Sequence, residues 1–146
     1  MKKFRKLLVL LFFTILTTLV ASCSSIQYKS NGERIFFTAT SSSGKPIYSQ
    51  GFTMMHGRIA CANCHGTDGH GGNVRIMMTS FEAPNITWAE LTGQHEDHAP
   101  YTKATIKDAI AKGLEPNGKE LEIYMPRWQM ADEDLDDLLS FLKTLK

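Results

Sequence analysis

The feature that most constrains this chain is the pentapeptide Cys61-Ala62-Asn63-Cys64-His65. It matches Cys-x-x-Cys-His, the signature of covalent haem attachment. Two thiols three positions apart lie on one face of a helical turn, where they can form thioethers with the two haem vinyl groups. The adjacent histidine then supplies an axial imidazole to the iron. We therefore predict one covalently attached haem c, bound by Cys61, Cys64 and His65.

Other uses of a Cys-x-x-Cys pair agree less well with the surrounding sequence. A redox dithiol is typical of a βαβ unit, and no alternating strand–helix pattern surrounds residues 61–65. A structural zinc site needs four ligands, usually in two pairs, and the sequence has no second Cys-x-x-Cys and no His-x₃-His. An ordinary disulfide stays possible, but it would leave His65 without a role.

The amino terminus has the three parts of an export signal. A basic segment (residues 2–6) precedes an apolar run (residues 7–20), and Ala21-Ser22 provides small residues before a cleavage site. With Ala21 included, the apolar run covers 15 residues, and about 20 are needed to span a bilayer. A cleaved signal peptide over residues 1–22 is therefore favoured over an uncleaved anchor helix.

The stretch from Leu19 to Cys23 is similar to the lipobox of bacterial lipoproteins, whose cysteine is acylated and becomes the new amino terminus. This resemblance implies lipidation at Cys23 and a polar tether over residues 23–30. Ser24 follows the cysteine rather than aspartate, which implies the outer membrane rather than the inner one. Bacterial haem attachment occurs outside the cytoplasm, so both signals predict a lipid-anchored protein in the periplasm.

The charge of the mature chain excludes one class of partner. Residues 1–22 contain four of the 16 basic residues and none of the 15 acidic ones, so their removal changes the net charge from +1 to −3. A mildly acidic protein is poorly suited to nucleic acid, although it could be steered toward a basic patch on a redox partner. The sequence shows no acid–base or nucleophile constellation and no evident small-molecule substrate site.

The rest of the chain predicts an all-α domain of about four helices around one haem, because no segment shows convincing strand alternation. One short helical stretch covers residues 33–37, and a Ser/Thr/Gly/Pro-rich loop follows it. Thr87 and Glu90 form a Thr-x-x-Glu start for a helix that ends by Gly93. The glycines at positions 66, 69, 71 and 72 predict backbone that curls closely around a flat cofactor.

Two helices are better defined. Thr102 is a candidate N-cap for a helix through Lys112, with Gly113 as C-cap and a buried face of Ile106, Ala109 and Ile110. The final helix has acidic residues at its positive end and lysines at its negative end. Its apolar stripe has helical spacing and consists of Leu135, Leu138, Leu139, Leu142 and Leu145.

The second axial position of the iron decides between electron transfer and ligand binding, because a protein side chain there closes the iron to small molecules. Met125 is the favoured ligand, since Pro126 stiffens the loop and holds the preceding residue extended. Met130 is expected to pack into the core instead. Thioether ligation predicts a positive reduction potential. The weaker candidates are Met77 and Met78, then Met54 and Met55, and a bis-histidine site with His95 or His98.

Taken together, these motifs resemble the class I c-type cytochromes over residues 31–146. The shared features are Gly-x₃-Phe (Gly32, Phe36), Cys-x-x-Cys-His, Met-Pro and a leucine-rich terminal helix with an acidic start. The resemblance implies a cytochrome c-like fold, Met125 as the distal ligand, and Phe141 packed against Gly32 and Phe36. It also implies single-electron transfer between redox partner proteins rather than catalysis.

By the same resemblance, the carbonyl of Pro84 accepts a hydrogen bond from Nδ1 of the haem-ligating histidine. Two departures from the family pattern are visible. A loop insertion at residues 38–57 separates the first helix from the haem motif. Ala131 occupies the usual Ser/Thr cap position of the last helix, so Asp132 is expected to cap instead.

Several alternatives stay open. Trp88 and Trp128 are expected as pocket walls, although either indole N–H could donate to a haem propionate. The function could be small-ligand sensing at an open iron, or that of an accessory haem subunit in a membrane oxidoreductase. Methionines lining an apolar pocket and solvated histidines are the simpler interpretation of the spare soft side chains. A copper(I) site is the alternative for this set: His56, His70, His95, His98, Met54, Met55, Met77 and Met78.

Overall fold

The computed structural model describes residues 26–51, 58–76, 78–96 and 99–146. Within these ranges the fold is mainly helical, and none of its helices is both long and apolar enough to cross a membrane. The elements are α1 (Asn31–Thr38), β1 (Ser49–Gln50), α2 (Ala62–His65), β2 (Gly72–Ile76), β3 (Thr79–Ala83), α3 (Trp88–Thr92), α4 (Lys103–Lys112), β4 (Arg127–Trp128) and α5 (Asp132–Leu142).

Several predictions concern residues outside the described ranges and stay predictions. They include the signal peptide and the proposed lipid attachment site. The residues concerned are Cys23, Met54, Met55, His56, Met77 and His98.

The first and last helices pack directly on each other. A Cβ placed on Gly32 would lie 2.0 Å from the carbonyl oxygen of Asp137, so the two backbones are in contact. The fully buried Phe36 ring lies 5.1 Å from the Phe141 ring. Asn31 also connects the two helices through hydrogen bonds, because its Nδ2 donates to the carboxylates of Asp134 and Asp137 at 2.8 Å each. The packing implied by Gly-x₃-Phe is therefore present.

Helix α4 has the predicted limits and the predicted buried face. The Thr102 hydroxyl accepts from the backbone N–H of Thr105, and the Thr105 hydroxyl accepts from the backbone N–H of Thr102. Gly113 ends the helix in the left-handed region at φ +70°, where glycine is favoured. Lys107 joins α4 to α5 through ion pairs of 2.7 Å with Asp132 and with Asp136.

Helix α3 begins and ends where predicted, but the side-chain caps expected for α3 and α5 are absent. Thr87 occupies the N-cap position of α3, but its side chain makes no capping bond. In α5 the N-cap is Ala131, and Asp132 is already the first helical residue, so the prediction that Asp132 caps this helix is wrong. The acidic first turn of α5 still interacts favourably with the positive end of the helix dipole.

The expectation of a strand-free, all-α fold is also wrong in detail. Strands β2 and β3 form an antiparallel hairpin with Val74 opposite Phe81, and β1 pairs with β4 with Gln50 opposite Arg127. Each strand of the hairpin has five residues with only two apolar side chains at alternate positions, so its strand pattern in the sequence is weak. Strand β1 lies within the predicted insertion at residues 38–57, and its pairing with β4 supports the segment that follows Met125.

Candidate haem-binding site

A cavity of about 630 Å³ lies between α2, the hairpin, α4, α5 and the loop before β4. This volume is within the range of sites that enclose small organic molecules and cofactors. Most of its wall is apolar, as enclosure of a largely apolar macrocycle requires. The apolar wall includes Ile106, Ile110, Leu138, Leu142 and Trp128.

The predicted attachment residues meet at this cavity on one short helix. Cys61 occupies the N-cap position of α2, and the backbone N–H of His65 donates to the Cys61 carbonyl at 2.9 Å. Asn63 stabilises the entry to the turn by accepting from the N–H of Ala60 at 2.9 Å. As a result both thiols and the imidazole line one cavity.

Desolvation at the cavity wall acts on both thiols, each of which is partly buried. It raises the pKa of Cys61 to about 12, with a smaller contribution from neighbouring Cys64, and it raises the pKa of Cys64 as well. A redox dithiol needs a thiol whose pKa is lowered toward neutrality, because the thiolate is the nucleophile. These surroundings therefore argue against the redox-dithiol alternative.

His65 is held in one orientation. Its ring is buried, and Nδ1 lies 2.9 Å from the carbonyl oxygen of Pro84. A carbonyl can only accept, so Nδ1 carries the proton and Nε2 keeps its lone pair. Burial lowers the pKa of His65, and the bond to Pro84 opposes this effect in part. The neutral imidazole is the form that ligates a metal.

Met125 is the only methionine in the described ranges that lines the cavity. Met130 packs against the core, as predicted, and Met78 is fully exposed. Trp128 lines the cavity, but its Nε1 donates to the carbonyl of Ile59 at 2.9 Å. In this structure the Trp128 indole therefore stabilises the backbone before the haem motif, in place of the propionate contact considered as an alternative.

The alternative ligands are placed less favourably. His95 lines the cavity, but its Nε2 donates to the Glu90 carbonyl at 2.7 Å and its Nδ1 lies 3.7 Å from the Glu90 carboxylate. Trp88 packs under Lys143, whose Nζ lies 5.2 Å from the ring centre. Within the part of the chain that the structure describes, no group of three His, Cys, Asp or Glu residues could hold a metal ion.

The sequence matches the family model of cytochrome c over residues 30–146. The chain belongs to the cytochrome c family. Members of this family bind haem c covalently, and Cys61 and Cys64 fit the attachment motif. No curated protein and no solved structure matches the chain.

The residues present fit the cofactor of a cytochrome c. The cavity lies within the size range of cofactor sites and has a largely apolar wall, both cysteines line it, and the Nε2 lone pair of His65 is available to a metal. Bound haem supplies a one-electron iron couple. The chain contributes the thioether sulfurs, the oriented imidazole, and an apolar wall that excludes water from the cofactor.

Gly71 supports the His65–Pro84 bond, and sequence reasoning missed this role. Its backbone N–H donates to the His65 carbonyl at 2.8 Å, and its φ is +72°. An added Cβ would lie 2.1 Å from the Ala83 carbonyl oxygen and 2.6 Å from that of Pro84. The glycine-rich run was expected to approach the cofactor, whereas Gly71 packs against the segment that orients the imidazole.

We expect Gly71→Ala to displace the Pro84 carbonyl from Nδ1 of His65. The clash and the positive φ together should lower the free energy of unfolding by about 2–3 kcal/mol. Thermal unfolding measures the loss, and a changed reduction potential reports the altered imidazole. Gly118→Ala is the matched control, because Gly118 has φ +84° and nothing within 4 Å of an added Cβ. Equal losses in both variants would show that the Pro84 contact is unimportant.

Proposed function

We propose that this cytochrome c is a single-electron carrier whose iron is ligated by His65 and Met125. The main support is that His65 and Met125 line the same cavity as Cys61 and Cys64. Pro126 also lines it and restricts the backbone on the carboxyl side of the methionine. Two protein ligands close the iron to small molecules, and a thioether favours the reduced state. Family membership supports haem-based electron transfer rather than catalysis.

The location we propose is the periplasm, with the domain tethered to the outer membrane. Support comes from the export signal at residues 1–22, the lipobox-like sequence ending at Cys23, and the polar tether over residues 23–30. More than one acyl chain at Cys23 would anchor the protein far more firmly than a single chain. Covalent attachment through Cys61 and Cys64 prevents loss of the cofactor outside the cytoplasm.

The redox partners we propose carry a basic docking patch. Glutamates outnumber lysines among the described residues that line the cavity, and the one lysine there, Lys119, lies 3.6 Å from the Glu115 carboxylate. Charges of one sign beside a redox centre steer oppositely charged partners and accelerate association at low ionic strength. The glutamates that line the cavity are Glu82, Glu90, Glu115, Glu120 and Glu122.

Carbon monoxide distinguishes a carrier from a small-ligand sensor. We expect the reduced wild-type protein to show no rapid shift of its Soret band when carbon monoxide is added, because Met125 occupies the second axial position. Stopped-flow absorption measures this directly. Met130→Ala is the control and should behave like wild type, since Met130 packs against the core outside the cavity wall. Rapid binding to wild type would favour the sensor function.

A further inference from the structure

We propose that Arg127 is a positioning residue that holds the Met125 loop in its ligating conformation. This inference rests on the proposed ligation of the iron by Met125. Arg127 does not line the cavity, although it lies two residues after the methionine. It acts on the backbone that carries Met125.

The guanidinium of Arg127 donates to backbone carbonyls at both ends of this loop. One terminal nitrogen, Nη1, donates to the carbonyl of Glu122 at 3.2 Å and to the carbonyl of Met125. The other, Nη2, donates to the carbonyl of Leu121 at 2.9 Å and to that of Gly113 at 3.4 Å. The bonds therefore connect the end of α4 with the methionine itself.

This arrangement uses the planar fork of arginine, which presents several donors in fixed directions. Hydrogen bonds from an ionised donor are roughly twice as strong as neutral ones. In the described ranges Arg127 forms no ion pair, so its charge is directed at the loop carbonyls. A lysine could reproduce the charge but not the fork.

Gly113 makes room for the guanidinium. A Cβ at this position would lie 1.9 Å from Nε and 2.2 Å from Cζ of Arg127. Gly113 also fixes the start of the loop, since its carbonyl accepts from the N–H of Leu121 at 2.8 Å. The Arg127 contacts therefore require a glycine at position 113, at the end of α4.

The backbone of Arg127 is fixed independently of its side chain. Strand β1 pairs with β4, which places Gln50 opposite Arg127. A Cβ on the neighbouring Gly51 would lie 3.6 Å from the Cα of Pro126. The strand pair fixes the backbone position of Arg127, and the four carbonyls fix the position of its guanidinium. Met125 lies between these two restraints.

Loss of the guanidinium should increase the fraction of protein in which Met125 has left the iron. A competing ligand such as imidazole then binds more tightly, because it binds only the protein in which Met125 has left the iron, and its apparent affinity rises with that fraction. We expect Arg127→Leu to lower the apparent Kd of imidazole for the oxidised protein by about tenfold, the effect of losing one charge-assisted hydrogen bond. The near-infrared methionine–iron band should weaken in parallel.

The experiment titrates imidazole into oxidised wild type, Arg127→Leu, Arg127→Lys, Gly113→Ala and Arg75→Leu, and records the Soret and near-infrared bands. Arg127→Lys should lie between wild type and Arg127→Leu, and it also provides the test if Arg127→Leu does not fold. Gly113→Ala should change the Kd in the same direction as Arg127→Leu. Arg75 is exposed on β2 and serves as the charge-matched control, with an unchanged Kd.

The possible failures are distinguishable. A wild-type protein without the near-infrared band contradicts ligation by Met125 and overturns the role of Arg127 with it. A wild type with the band, together with Arg127 variants of lower thermal stability but unchanged imidazole Kd, overturns the role of Arg127 alone. In that case Arg127 stabilises the fold without positioning Met125.

Discussion

Replacing Met125 with alanine should lower the reduction potential by on the order of 0.2 V, a fraction of the roughly 0.8 V over which axial ligands tune haem proteins. Under the proposed ligation, the Met125 thioether stabilises ferrous iron, and alanine offers no ligand in its place. The opened position should also bind carbon monoxide in the reduced state. Potentiometric titration of the purified, haem-loaded protein measures the shift.

Met130→Ala is the matched control for this experiment. It removes the same side chain five residues later, from a position that packs against the core and does not line the cavity. Its expected effect is a loss of stability of about 2–3 kcal/mol without a change in potential. Similar potentials for Met125→Ala and wild type would show that Met125 is not the second protein ligand of the iron.

Replacing Gly32 with alanine should destabilise the fold by about 3 kcal/mol. The new Cβ would lie 2.0 Å from the carbonyl oxygen and 2.5 Å from the carbonyl carbon of Asp137. Both are backbone atoms of a helix, so the contact is relieved only if α1 and α5 move apart. That movement loosens the packing of Phe36 on Phe141.

The sign of this effect is informative. In a solvent-exposed helix the same substitution stabilises by roughly 0.5–1 kcal/mol, because alanine has the higher helix propensity. Chemical denaturation of the haem-loaded protein measures the difference. Stabilisation, or no change, would show that the two helices are not in backbone contact at Gly32.

Local patterns in the sequence predicted much of the fold. The limits of α4 follow from Thr102 and Gly113, and the buried face of α5 follows from leucines at helical spacing. Both depend on residues within a few positions of one another. The Gly-x₃-Phe contact with Phe141 is long-range, and it became predictable only through the resemblance to class I cytochromes.

The features that sequence reasoning missed depend on contacts between distant backbone segments. Gly71 packs on Pro84, and the proposed role of Arg127 depends on the space that Gly113 leaves beside the guanidinium. The indole of Trp128 finds its acceptor at Ile59, 69 positions away. No local pattern encodes these pairings, because their partners are carbonyl groups, which every residue carries.

The hairpin was missed for a different reason. Its strands each have five residues, and each has only two apolar residues at alternate positions: Val74 and Ile76 in β2, Phe81 and Ala83 in β3. The ring of Phe81 stacks on Tyr124 at 4.7 Å, so the hairpin lies against the loop that carries Met125. Tertiary contact of this kind stabilises strands whose own sequence signal is weak.

The near-infrared absorption spectrum of the oxidised protein, exported and matured in cells that attach haem c, tests the ligation of the iron most directly. We predict a weak methionine–iron band in wild type and in Met130→Ala, and its loss in Met125→Ala. A wild-type spectrum without this band, or a band that persists in Met125→Ala, would contradict a haem held between His65 and Met125.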